Sequence, residues 1–157
     1  MMKLLYLLQE IYDVPFGYDF EIYTYGPYCQ TVMSDLEYAE FANYVKVSPI
    51  TYPTGISGYQ ISTNPESEKV LTDESELLSQ YSEKINRVIS SFGDKTAKEL
   101  ELYSTIVFVS ASYSNNAWEK TKEEICSTVR KIKPHFTEET ILAAYDDLNT
   151  NHFLGKK

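Results

Sequence analysis

The sequence predicts an α+β fold that is mostly helical, in which a winged helix-turn-helix with a two-stranded wing hairpin is followed by a C-terminal helical bundle. Two observations predict the first part: a glycine-proline junction between a strand-like run and a helical run, and two further strand-like runs after that helix. Helical periodicity in the second half predicts the bundle. We therefore expect a winged-helix-like module at residues 1–64 and a helical extension at residues 65–157 that share one core.

The junction is the segment Tyr25-Gly26-Pro27-Tyr28. Before it, residues 18–23 alternate polar and aromatic side chains, which is typical of a strand. After it, residues 28–44 have the apolar side chains Val32, Leu36 and Ala39 at helical spacing. Glycine can turn the chain without a steric penalty at Cβ, and proline favours the first helical position. The junction therefore predicts a strand that turns directly into a helix.

Two runs after this helix have the composition of strands. They are residues 44–52 and residues 58–62, and the segment between them, residues 53–57, is rich in turn-forming residues. This pattern predicts the wing hairpin. Together with the preceding helices, it gives the element order of a winged helix.

Residues 2–13 form a strongly apolar helical stretch, with Leu4, Leu8 and Ile11 on one line and Leu5 beside them. No capping side chain precedes the stretch. A helix this apolar has to be covered on more than one side. We expect either the C-terminal helices or a second copy of the chain to cover it, the latter in a homodimer through residues 2–13. Winged helices normally have another helix before this one, so we expect either that this helix is absent or that a later helix or a second subunit takes its place.

Four helices are predicted in the second half, at residues 73–92, 97–112, 117–132 and 137–148. Gly93 ends the first of these helices, and a capping box of Thr96 and Glu99 opens the second. Trp118 is expected to face inward from the third. Thr137 caps the fourth, and the tail at residues 151–157 is expected to fray.

The run Lys3-Leu4-Leu5-Tyr6, followed by Tyr25-Gly26-Pro27-Tyr28, resembles the YwgA-like proteins, a family of bacterial and archaeal winged-helix proteins whose function is unsettled. The resemblance continues through residues 100–106 and 132–139. The same start is similar to the Panacea-type antitoxin domain, which neutralises unrelated toxins by direct contact. Such proteins usually have about a helix's length of sequence before the Lys-Leu-Leu-Tyr run. The resemblance implies a winged-helix fold and an antitoxin-like or adaptor-like role.

The alternative function is that of a winged-helix DNA-binding transcription regulator, and the charge of the module weighs against it. Residues 1–64 contain two bases and seven acids, and the helical run at residues 28–44 contains three acids and no base. Lysine and arginine contacts to phosphates supply nearly all non-specific DNA affinity. We therefore expect no nucleic-acid binding by the isolated chain. DNA contact would depend on a missing N-terminal segment or on a basic partner.

The candidate partner-binding site is the outward face of the helix at residues 28–44. If Val32, Leu36 and Ala39 point inward, the helical period places five other side chains outward. These are Gln30, Ser34, Glu37, Tyr38 and Phe41. Aromatic side chains are enriched at protein interfaces, so the face is expected to bind another protein. The alternative is that the C-terminal helices fold back over both rings.

No catalytic, cofactor-binding or metal-binding pattern is present in the sequence. His135 and His152 have no Cys, Asp or Glu at ligand spacing, and neither a phosphate-binding glycine loop nor a Gly-x-Ser-x-Gly elbow occurs. Adjacent acids such as Asp146 and Asp147 diverge on a helix and are interpreted as solvated faces. We therefore expect no enzyme activity, no cofactor and no metal. The predicted function is that of a non-enzymatic regulatory protein that acts through protein–protein binding.

Composition indicates where this acidic chain acts. Its net charge is −9. Cys29 and Cys126 lack metal or redox spacing and are expected to be reduced thiols. The apolar start at residues 4–8 is too short to span a bilayer, and the basic start and cleavage site of a signal peptide are missing. We expect a cytoplasmic protein with no membrane partner.

Overall fold

The computed structural model describes residues 1–51, 55, 57–115 and 121–154. In this part of the chain it shows a mostly helical α+β fold, with seven helices and two antiparallel two-stranded hairpins. The elements in chain order are α1 (Met2–Tyr12), β1 (Glu21–Tyr23), β2 (Gly26–Tyr28), α2 (Gln30–Phe41), β3 (Val45–Thr51), β4 (Ser57–Thr63), α3 (Pro65–Asp73), α4 (Ser75–Phe92), α5 (Ala97–Asn115), α6 (Lys122–Ile132) and α7 (Glu138–Thr150). The fold class predicted from the sequence is confirmed at this level.

The chain divides into two compact units. The first consists of Met1–Cys29 together with Lys84–Lys157, and the second is Gln30–Glu83. This division differs from the boundary that we expected at residue 64, because α1 and the first hairpin pack with the C-terminal helix α5. Helix α4 begins in the second unit and ends in the first.

Helix α5 is the centre of the first unit, where it packs against α1, β2, α6 and α7. The side chains buried most completely in this unit come from several helices and include Leu7, Ile106, Val129, Ile141 and Leu148. Because α5 is covered on several sides, its small hydroxyl side chains Ser104, Thr105 and Ser112 bond to its own backbone. The Thr105 hydroxyl, for example, donates to the Glu101 carbonyl oxygen at 2.7 Å.

The apolar N-terminal helix α1 is covered, as its sequence requires. Tyr6, Leu7, Leu8 and Ile11 are buried, and α5 packs against them from the same chain. Met1 precedes the helix without a side-chain capping bond, as expected. A C-terminal helix therefore supplies the cover, and a homodimer through residues 2–13 stays a prediction.

The predicted junction between strand and helix is wrong. Gly26–Tyr28 is not the start of a helix but the strand β2, which pairs antiparallel with β1 and places Pro27 opposite Ile22. Gly26 has a φ of 97°, and with Tyr23 paired to Gly26 it closes a tight turn. Pro27 is fully buried instead of starting a helix, and α2 begins at Gln30. A hairpin thus stands between α1 and α2, where a helix-turn-helix has a simple turn.

The second unit contains α2 and the second hairpin. Strands β3 and β4 pair in one continuous register from Val45 opposite Thr63 to Thr51 opposite Ser57, which confirms the predicted hairpin. Pro53, Thr54 and Ile56 of its predicted turn lie outside the described residues. One hydrogen bond joins α2 to this hairpin, and another joins the residue after β4 to the turn between α2 and β3. The Glu40 carboxylate accepts the Val47 N–H at 3.0 Å, and the Asn64 amide donates to the Asn43 carbonyl oxygen at 3.2 Å.

The C-terminal helices are close to those predicted, with three differences. The predicted helix at residues 73–92 is preceded by a separate helix, α3, and two side chains of its apolar stripe, Leu77 and Ile89, are exposed. Residues 117–120, which include Trp118, lie outside the described residues, and α6 begins at Lys122. The tail does not fray at residues 151–154, because the Phe153 ring packs 5.2 Å from that of Phe92.

Both predicted helix caps are present. The Thr96 backbone N–H donates to the Glu99 carboxylate at 2.8 Å, and the Thr137 hydroxyl accepts the Thr140 N–H at 3.2 Å. Within the described ranges, no helix combines the length and the apolar character that crossing a bilayer requires.

Candidate functional site

The structure places the predicted partner-binding side chains on exposed surface. Gln30, Ser34 and Glu37 are exposed, and the exposed fractions of Tyr38 and Phe41 are 66% and 89%. No element of the second unit covers either ring, and cover by the C-terminal helices stays an alternative prediction. The inner face is less sharply defined than predicted, because only Val32 of the expected stripe is buried, whereas Leu36 and Ala39 are half-buried.

Four of these side chains form one line along α2. Ser34, Glu37, Tyr38 and Phe41 follow the i, i+3, i+4, i+7 spacing of a single helical stripe. The Glu37 carboxylate has no hydrogen-bond or ion-pair partner among the described residues. The stripe therefore offers two aromatic rings, a phenol hydroxyl and an uncompensated carboxylate. These groups are suited to binding another surface and provide no nucleophile paired with a base.

The second unit, to which this stripe belongs, carries most of the net negative charge of the chain. Residues 30–83 contain nine acids and two bases, a net charge of −7 out of −9 for the whole protein. One of the bases, Lys69, is paired with Glu66 at 2.7 Å. The field around α2 is consequently strongly negative.

A second feature, in the first unit, is a cleft of about 670 Å³ beside the turn of the first hairpin. Its floor is a buried ion pair in which Lys133 Nζ lies 3.0 Å from Glu101 Oε1, and the two side chains are only 2% and 8% exposed. Lys133 Nζ also donates to the Tyr23 carbonyl oxygen at 2.8 Å and to that of Thr24. The ammonium thus has two carbonyl acceptors and one carboxylate counter-ion, and the lysine fixes the end of α6 to the hairpin.

His135 lies beside the same carboxylate. Its Nε2 is 3.3 Å from Glu101 Oε1, an oxygen that accepts no well-aligned hydrogen bond among the described residues. The interpretation of His135 as a histidine without an acidic neighbour is therefore wrong, because Glu101 reaches it from a different helix. A single histidine next to one acid is insufficient for a metal site, and no cluster of three or more potential metal ligands occurs in the described part of the chain.

The glycine-proline segment seats the hairpin on α5. A Cβ added at Gly26 would lie 3.2 Å from Ser104 Oγ and 3.5 Å from the Glu101 carbonyl oxygen, so a side chain at this position would make a tight contact with the helix. Residues 25–28, 100–106 and 132–139, which carry the sequence resemblance, meet in this region. Sequence reasoning missed the site because the three segments are far apart in the chain. The one signal in the sequence was that all three segments belong to the same family resemblance.

Asp146 and Asp147 are not simply solvated acids, as their sequence pattern suggested. Lys122 Nζ donates to Asp146 Oδ1 at 2.7 Å, and the Tyr103 hydroxyl donates to Asp147 Oδ2 at 2.6 Å. Burial, and after it the hydrogen bond to Asp147, raises the pKa of the Tyr103 phenol. The two aspartates therefore link α7 to α6 and α5.

The two cysteines are buried free thiols. Cys29 lies after β2 and Cys126 lies in α6. Burial raises the pKa of the Cys126 thiol, which disfavours the nucleophilic thiolate. Neither residue has the exposed position of a reactive cysteine.

Comparison with known proteins adds no family to this description. No protein-family model matches the chain, and no curated protein matches it significantly. The likeness to the YwgA-like proteins and to the Panacea-type antitoxin domain therefore stays a resemblance of sequence.

Proposed function

We propose that this chain is a non-enzymatic regulatory protein that acts by binding another protein, in the manner of an antitoxin or adaptor, through the outward face of α2. The observation that carries the proposal is the exposure of Tyr38 and Phe41 on one helical stripe. Large aromatic rings that anchor a partner supply much of the binding energy of protein interfaces.

In this proposal, α2 and the β3–β4 hairpin correspond to the recognition helix and the wing of a winged helix. Protein binding fits this pair of elements better than DNA binding does, since α2 contains three acids and no base. Phosphates would be repelled where a DNA-binding helix attracts them. The two buried free thiols are compatible with the reducing cytoplasm in which we place this function.

The test is the double substitution Tyr38→Ala and Phe41→Ala. Loss of an anchoring aromatic side chain costs about 2 kcal/mol or more of binding, which is about thirtyfold in affinity. Tagged wild-type protein should retain a partner from an extract of its host, and the double variant should lose it. The melting temperature should change little, because neither ring is part of a core.

The matched control is Tyr59→Ala, which removes a ring that is 74% exposed on β4 of the same unit. This control should retain the partner. If the double variant unfolds, the two rings are structural. If the folded double variant keeps its partner, the binding face lies elsewhere and the proposal is wrong.

A further inference from the structure

We infer that the protein surface recognised by α2 is basic, and that an arginine or lysine of the partner pairs with Glu37 while the partner's apolar surface covers Tyr38 and Phe41. This inference rests on the proposed function and specifies the chemistry of the partner. It is carried by the geometry of one helical stripe and by the charge of the unit that bears it.

The stripe places the carboxylate and the rings where one cationic side chain can contact both. Glu37 and Phe41 are four residues apart on α2, so their side chains are neighbours on the helix surface. A guanidinium that donates hydrogen bonds to the Glu37 carboxylate can therefore lie over the Phe41 ring, where a cation is attracted to the face of an aromatic ring. Tyr38 extends the same contact toward Ser34, its neighbour one turn earlier.

Glu37 is available for such a pair. Its carboxylate has no partner among the described residues, in contrast to that of Glu40, which accepts the Val47 N–H at 3.0 Å. An acid next to two exposed rings would have to be desolvated when a partner covers the rings. A cation on the partner compensates that cost, whereas a neutral or acidic partner does not.

The charge of the whole second unit favours the same partner. Its net charge of −7 creates a negative field that extends beyond single contacts and speeds the approach of a basic protein. The same field repels nucleic acid and anionic membrane surfaces. A basic protein surface is thus the occupant that matches both the local stripe and the long-range field.

The inference can be tested with a defined probe. A synthetic amphipathic helix of about twenty residues, with leucine on one face and arginine on the other, reproduces a basic surface with an apolar strip. A second peptide with glutamate in place of arginine keeps the apolar face and reverses the charge. Fluorescence anisotropy of each labelled peptide, titrated with the full chain at low and high salt, gives the two affinities.

We expect the arginine peptide to bind and the glutamate peptide not to bind. Glu37→Lys should weaken binding of the arginine peptide about tenfold or more, because it places like charges together at the contact. Asp73→Lys is the matched control, since it makes the same change of charge at an exposed position at the end of α3. This control should lower the affinity only slightly, through the long-range field.

Three results would overturn the inference: no binding of the arginine peptide, equal binding of both peptides, or equal losses in the Glu37→Lys and Asp73→Lys variants. The same variants, tested on the partner captured from host extract, separate this inference from the proposed function. If Tyr38→Ala with Phe41→Ala releases the partner but Glu37→Lys and salt do not, α2 is the binding face and the basic partner is wrong. If the Tyr38→Ala and Phe41→Ala double variant also keeps the partner, both this inference and the proposed function are wrong.

Discussion

At the scale of single residues, Lys133 is held by contacts from several segments of the chain. A buried ammonium is costly to desolvate, and this one is tolerated because Glu101 and the carbonyl oxygens of Tyr23 and Thr24 surround it. The arrangement makes the lysine a structural clamp that holds the first hairpin against the end of α6. Removing only one member of the ion pair leaves the other charge buried without compensation.

We therefore expect Lys133→Met to destabilise the protein by about 3–5 kcal/mol, the usual cost of breaking a buried ion pair on one side. Urea denaturation followed by circular dichroism measures this loss. The double variant Lys133→Met with Glu101→Leu should recover a large part of it, since no buried charge remains. If the single and double variants are equally unstable, the loss comes from the carbonyl contacts and not from the orphaned carboxylate.

At the scale of elements, the first hairpin depends on close contact with α5. Gly26 adopts a positive φ, and in addition a Cβ there would make a tight contact of 3.2 Å with Ser104 Oγ. Gly17 also has a positive φ, of 72°, but nothing lies within 4 Å of a Cβ at that position. A comparison of alanine substitutions at the two glycines therefore separates the free-energy cost of the backbone conformation from the cost of packing against α5.

Gly17→Ala should cost about 1–2 kcal/mol, the penalty for placing a side chain in the left-handed region. Gly26→Ala should cost that amount plus about 1–3 kcal/mol for overpacking against α5. Thermal or urea unfolding of both variants checks the difference. Equal losses would show that α5 can move away from the hairpin and that the close contact is not a constraint.

The elements that the sequence predicted correctly are those that local signals determine. The capping residues Thr96 and Thr137 mark the starts of α5 and α7, and the β3–β4 hairpin follows from two strand-like runs. The junction at Gly26 was mispredicted because glycine followed by proline is compatible with a helix start and with a tight hairpin turn. Pairing with β1 and contact with α5 decide between them, and both are tertiary effects.

At the scale of the whole molecule, the two candidate sites differ in how far the sequence could predict them. The α2 face comes from one helix, so helical periodicity alone placed its five side chains on the exposed surface. The cleft above Glu101 draws on the first hairpin, on α5 and on the residues after α6. No local pattern connects these segments, and only the folded chain brings His135 beside Glu101.

The charge of the molecule leads to a prediction about nucleic acid. The full chain at low salt should show no saturable binding to random duplex DNA that is tighter than about 10⁻⁶ M, the tight end of the usual non-specific range. The reason is that α2 contains no base and that the unit around it has a net charge of −7, so phosphates are repelled where a winged helix would hold them. Fluorescence anisotropy with a labelled duplex measures the affinity, and a salt series identifies its origin. Tight binding that weakens steeply with salt would show that bases outside α2, such as those of the first unit, hold the duplex, and would favour a DNA-binding regulator over a protein-binding one.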